Sequence, residues 1–155
     1  MWWRLPHAAW QQGKGAGNRR ALRRVVATGP PPGILAYADG QPVGWCAVAP
    51  RAAYPRLARS RALAPVDDAP VWSLTCFFVA RPWRGRGLTR ALLDAAAADV
   101  RRRGGRVLEG YPIERSARTA DAFVYTGLAS TFRRAGFHEV ARRSRTRPIM
   151  RRALR

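Results

Sequence analysis

Apolar positions along the chain switch between the period of a strand and the period of a helix, and the switches mark its elements. The sharpest lies within residues 71–100, V-W-S-L-T-C-F-F-V-A-R-P-W-R-G-R-G-L-T-R-A-L-L-D-A-A-A-A-D-V. Residues 71–79 are rich in aromatic and β-branched side chains and predict a buried strand. Pro82 closes it, because proline has no N–H for a ladder. From Leu88 the apolar residues fall at Leu88, Leu92, Leu93, Ala96 and Val100, one face of a helix, with Arg90, Asp94 and Asp99 off that face. Arg101, Arg102 and Arg103 complement the negative end of this helix, and Gly104-Gly105 stops it.

The same reading extends to both sides. Trp2 and Trp3 read as part of a first strand, Pro6 opens a helical turn, and residues 11–17 form a loop. Asn18 is the expected N-cap of a helix over residues 19–28, with Leu22, Val25 and Val26 inward. Residues 34–37 and 43–49 predict a hairpin about the Asp39-Gly40 turn. Residues 51–70 are irregular, with a helical turn within 54–63. Residues 106–111 predict a strand parallel to 71–79 through a right-handed crossover. A loop over 114–119, a short helix over 121–125, a helix over 126–135 with Leu128 and Phe132 inward, and strands over 137–141 and 147–153 complete the chain. The pattern is that of one α/β domain over residues 1–155 with a mixed, twisted sheet.

Composition narrows the function. At 155 residues the chain can bury one real core. No apolar run approaches the ~18 residues of a membrane helix, and no export signal is visible. Cys46 and Cys76 lie in strand-like runs and read as small core residues of a reducing, cytoplasmic compartment. His7 and His138 are the only histidines, and no zinc spacing exists, so no metal is expected. The net charge is +20, and of 29 basic residues only Lys14 is not arginine, a bias of the kind a GC-rich bacterial coding background gives. The arginines are dispersed rather than interleaved with aromatics, which speaks against specific nucleic-acid binding while leaving nonspecific affinity for polyanions. A monomer or homodimer is expected.

The turn between strand and helix carries the candidate chemistry. Arg84-Gly85-Arg86-Gly87-Leu88-Thr89 joins unpaired N–H groups of a helix start to glycines that allow close approach and to arginines that add full charges. That is an anion site, suited to a phosphate or pyrophosphate. Neither G-x-x-x-x-G-K-[ST] nor G-x-G-x-x-G is present. The turn instead resembles the [RQ]-x-x-G-x-[GA] segment of the GNAT superfamily of N-acetyltransferases, with Arg84 and Gly87 in register and Thr89 where the family has Gly or Ala. The hairpin Y-x-D-G-x-P-V-G-W and the run F-R-R-A-G-F-H-E-V, residues 132–140, also resemble that family.

The resemblance implies a GNAT-like fold, a mixed twisted sheet with helices on both faces, splayed between its two central parallel strands. It implies acetyl-CoA as acyl donor and an amine as acceptor, joined by direct attack in a ternary complex. Pantetheine would lie along Phe77, Phe78 and Val79, the pyrophosphate on the N–H groups of Arg84, Gly85, Arg86, Gly87, Leu88 and Thr89, and the oxyanion against a backbone N–H near Phe78. For the base, the residues themselves offer Glu109, a carboxylate in an apolar strand, unless an arginine pairs with it; Asp67 or Asp68 through water is the fallback. Asp67-Asp68 reads as a turn or as a contact for an amine. Many family members place tyrosine where this chain has Phe132, which cannot protonate a leaving thiolate; Tyr125, Tyr111 and Cys76 are the substitutes on offer. Two other readings stay open: a CoA-binding domain without catalysis, and a basic nucleic-acid-binding module.

Overall fold

In a computed structural model the described residues are 1–114 and 121–155. The chain opens in turns, not in the strand expected at Trp2 and Trp3. Arg4 and Leu5 N–H both donate to the Met1 carbonyl, and the Trp2 ring packs edge-on against Trp10, 4.8 Å between centroids. Helices α1 (His7–Gln12) and α2 (Ala16–Thr28) follow. Gly15, at φ 75°, precedes α2. Asn18 lies inside α2 instead of capping it, because its side-chain amide donates to the Trp10 carbonyl at 2.9 Å. Leu22 and Val25 are half-buried, whereas Val26, expected inward, is exposed. One residue past Val25 is a further ~100° of rotation, enough to leave the apolar face.

Strands β1 (Gly33–Ala38) and β2 (Gln41–Pro50) form the expected hairpin. Asp39 and Gly40 both have positive φ, 50° and 71°, as a two-residue turn of matching twist requires. A one-turn helix, α3 (Pro55–Ala58), precedes β3 (Trp72–Val79). Then come α4 (Leu88–Arg102) and β4 (Val107–Gly110). The loop expected over 114–119 lies, past Glu114, outside the described residues. A 3-10 turn over Asp121–Thr126 leads to α5 (Ala129–Arg134), which is shorter than expected. Gly127 at φ 89° and Leu128 in extended conformation break the helix before it starts. Strands β5 (His138–Ala141) and β6 (Ile149–Ala153) finish the sheet.

The sheet order is β1-β2-β3-β4-β6-β5, antiparallel except for β3 with β4. One face packs on α4, whose buried residues Leu92, Leu93, Ala96, Ala97 and Val100 meet Cys46, Val48, Leu74 and Phe77. Each large apolar side chain so buried contributes ~1.5–3 kcal/mol. The other face carries Ala49, Tyr54, Leu57, Tyr111 and Ile149, under α3. Helices therefore cover both faces, as the resemblance implies. No helix among the described residues is long and apolar enough to cross a membrane.

β3 is irregular in two places. Its register against β2 slips so that Ala47 faces Cys76 and Val48 faces Leu74, leaving Thr75 as the extra residue of a bulge. Its pairing with β4 covers only Trp72, Ser73 and Leu74, while β3 runs on to Val79. Past Leu74 the two parallel strands separate.

Candidate active site

The candidate anion loop joins β3 to α4 through two glycines in left-handed conformation. Arg81–Trp83 makes a single 3-10 turn, and Gly85 and Gly87 take φ of 75° and 79°. A Cβ at either glycine would meet no atom within 4 Å, so these positions are glycine for backbone conformation, not for lack of space. Among the described residues, the N–H groups of residues 85–89 find no backbone acceptor, whereas Arg90 and Ala91 N–H already bond to the Gly87 carbonyl. Arg84 Nε donates to the Val79 carbonyl at 3.1 Å and folds the loop onto the end of β3. A cavity of about 450 Å³ opens here, between the start of α4 and α5. Val79, Arg84, Gly85, Gly87, Leu88 and Thr89 line it, joined by Arg90 and Arg134. Arg86 turns away, its guanidinium 5.4 Å over the Trp83 ring. Phe78 is exposed, and Phe77 is buried against Phe132. Free N–H donors, left-handed glycines and arginines suit a pyrophosphate, so the residues present fit CoA at this end.

On the opposite face of the sheet lies a second cavity, of about 380 Å³. Thr75 and Cys76 of β3 form part of its wall, with Trp45, Tyr54, Tyr125 and Trp10 around them. Tyr125 is half-buried, and burial raises its pKa, so its hydroxyl stays protonated at neutral pH. Burial also raises the Cys76 thiol, which disfavours the thiolate a catalytic nucleophile needs.

Glu109 sits in neither cavity. It is buried at the centre of a row that crosses the sheet: Ser73 on β3, Glu109 on β4, Arg151 on β6. Its Oε1 accepts from Arg51 Nη1 at 2.8 Å and from the Tyr111 hydroxyl at 2.6 Å; its Oε2 accepts from Arg151 Nε at 2.7 Å. Tyr111 also accepts from Arg51 and shares a 2.8 Å hydrogen bond with Ser73. Burial raises its pKa further, with the Glu109 carboxylate adding to the effect. Both Glu109 oxygens are engaged by guanidinium or phenol, the ion-pair arrangement that competes with a role as base. Asp67 belongs to the same network: it accepts two hydrogen bonds from Arg151, which hold its carboxyl below the usual range, and one from Ala69 N–H in the expected turn.

Phe132 is fully buried where the strands part. Its ring meets Phe77 edge-on at 5.9 Å and Phe137 at 4.9 Å. A Cβ at Gly110 would intrude on the ring, and one at Gly127 would come within 2.7 Å of it. The ring is thus a wedge between the end of β4 and the turn before α5.

The acetyltransferase (GNAT) family model matches residues 2–118. The chain belongs to the GNAT acetyltransferase family. No curated protein sequence matches it. Solved structures with similar folds include a ribosomal-protein-alanine N-acetyltransferase from Brucella melitensis, 22% identical, TM-score 0.55, covering 88% of this chain and 76% of that one. Another is a GNAT-family acetyltransferase from Streptococcus agalactiae, 14% identical, TM-score 0.57, covering 93% and 76%. A third is the NatC complex bound to Gag peptide and CoA, 12% identical, TM-score 0.57, covering 88% and 79%. At these identities the likeness concerns the fold. Members of the GNAT family use acetyl-CoA.

Sequence reasoning did not find the second cavity, the lining arginines Arg90 and Arg134, or the partners of Glu109. The tryptophans of the first ten residues were the available signal for the cavity. Arg134 enters the loop's cavity only because α5 packs beside α4, a contact that no local spacing encodes.

Proposed function

We propose that this chain transfers the acetyl group of acetyl-CoA to a primary amine, by direct attack in a ternary complex. The observation that carries this reading is that β3 contributes residues to two cavities, one on each face of the sheet. Val79 lines the arginine-rich one and Thr75 and Cys76 the apolar one, on the segment where β3 has parted from β4. Cys76 to Val79 is roughly 10 Å at ~3.3 Å per residue, a span that a pantetheine arm bridges.

In this reading the pyrophosphate rests on the N–H groups of residues 85–89, with Arg84, Arg90 and Arg134 around it. Pantetheine amides pair with the backbone edge of residues 75–79 that β4 has left free, and a backbone N–H near Phe78 stabilises the charge that develops on the carbonyl oxygen. The amine nitrogen bonds to the acyl carbon as the carbon–sulfur bond breaks. Tyr125, protonated and lining the same cavity as Cys76, gives its proton to the sulfur; Tyr111 is held away in the Glu109 network. The amine's surplus proton passes to water, and water returns a proton to the Tyr125 phenolate. Glu109 then serves as a positioning residue that fixes β4 between β3 and β6. Two free thiols, Cys46 and Cys76, fit a reducing, cytoplasmic setting.

The test is release of the CoA thiol from acetyl-CoA across a broad panel of primary amines, with a matched no-amine control. Amine-dependent release supports the reading. CoA binding with no release from any amine would replace it with the non-catalytic CoA-binding alternative.

A further inference from the structure

The apolar cavity reports on the acceptor. Its walls are rings: Trp2 and Trp10 edge to face, Trp45, Tyr54 and Tyr125, with Leu22 of α2 alongside. At about 380 Å³ it falls in the range of small-molecule sites. An aromatic cavity is the usual recogniser of an organic cation, through the electron-rich ring faces. Here those faces already carry the chain's own cations. The Arg56 guanidinium lies 3.5 Å over Trp2, the Lys14 ammonium 5.1 Å over Trp10, and the Arg4 guanidinium 4.6 Å over Tyr54. No described acidic residue lines the cavity. A polyamine or a lysine-rich peptide would bring further positive charge to a wall that holds Arg4 and has Arg56 and Lys14 stacked on two of its rings, on a chain of net charge +20.

Resting on the acetyltransferase reading, we propose that the acceptor is a small primary alkylamine that bears an aromatic ring and no second positive charge, its ring seated among Trp10, Trp45 and Tyr54 and its amine directed at Cys76. The rings supply offset and edge-on contacts for an aromatic body. Thr75 and Cys76 put the amine against the segment of β3 that pantetheine would follow. The bonds made and broken are those of the transfer above.

Two probes of similar size test this: 2-phenylethylamine and 1,4-diaminobutane. In the intact chain with acetyl-CoA, 2-phenylethylamine should give a kcat/KM at least 100-fold higher. Trp10→Ala should raise its KM 10-fold or more and leave the CoA-induced rise in melting temperature unchanged. A separate readout needs no catalysis. Cys76 lines the cavity and Cys46 is fully buried, so a neutral thiol reagent reports on Cys76 alone. Saturating 2-phenylethylamine should slow labelling of Cys76 at least 5-fold, and 1,4-diaminobutane should not. If neither amine is acetylated, the broad amine panel decides the acetyltransferase reading, and protection of Cys76 still decides the cavity. Preference for 1,4-diaminobutane, or turnover of the aromatic amine with Cys76 labelled at its free rate, would overturn the proposal.

Discussion

The two halves of β3 are built from similar residues and put to opposite uses. In the first half, Trp72–Leu74 is zipped to β4, and its polar neighbours are spent on one another: Ser73, Tyr111, Glu109, Arg51, Arg151 and Asp67 form a closed network. In the second half, beyond the bulge at Thr75, β4 is gone and a cavity lies on either face. A polar group in the first half can hold the sheet but has little left to offer a substrate. A group in the second half has fewer partners and can meet one. Position relative to the point where the strands part therefore discriminates among the candidate residues better than residue type does. It separates Tyr125 from Tyr111 and sets Glu109 apart from both cavities.

The comparison can be broken most severely at Tyr125. Tyr125→Phe should lower kcat by about 10²–10⁴ if protonation of the thiolate limits turnover, with CoA affinity unchanged. A comparable loss in Tyr111→Phe, with Tyr125→Phe silent, would reverse the assignment of the halves. Next comes Glu109→Gln. Removing one partner of a buried ion pair should cost about 3 kcal/mol, read as a lower melting temperature, and leave the shape of the pH–rate profile intact. A stable variant with a flattened acidic limb would make Glu109 the base. A smaller effect is expected at Gly87. Gly87→Ala has room for its methyl but must hold a left-handed backbone, so it should cost ~1–2 kcal/mol of stability, measured by denaturant titration.

Acid should loosen the ion-paired regions first. Arg151 lowers the pKa of Asp67, and Arg133, with Arg142, brings Glu114 from 4.5 to about 2. A depressed folded pKa contributes stability above the unfolded value, and that contribution is lost as pH falls through the folded value. Thermal melts should therefore decline from about pH 4.5 toward pH 2; a flat profile over that window would show that these pairs hold nothing. The smallest effect belongs to the exposed arginines of α2, Arg19, Arg20, Arg23 and Arg24. Replacing all four by Gln should weaken DNA binding and flatten its salt dependence while CoA binding stays the same.

Much of this was legible in the sequence. The change of period at Leu88, the Asp39-Gly40 turn and the alternation of strands and helices pointed to the architecture, and Gly85 and Gly87 to the left-handed turn before α4. What was not legible depends on contacts between distant residues. Asn18 looked like a cap until Trp10 claimed its side chain. Gly127 cut short a helix that the apolar pattern alone would have extended. Glu109 looked like a base because its own strand is apolar; the arginines that neutralise it come from 58 positions upstream and 42 downstream. The Trp-lined cavity is assembled from both ends of the first half of the chain together with Tyr125.

The central claim is that the free end of β3 and the start of α4 form a specific CoA site and not merely a basic surface. The direct measurement is the melting temperature of wild type and Gly87→Glu with acetyl-CoA, with ATP and with short DNA, at moderate salt. At about 100 times Kd, acetyl-CoA should stabilise wild type by about 2.7 kcal/mol, a rise of several degrees. Gly87→Glu, folded but with a carboxylate facing the pyrophosphate, should lose that rise, and the other polyanions should give little in either protein. Equal shifts from all three ligands, unchanged in Gly87→Glu, would mean that the net charge of +20 binds CoA and the loop does not.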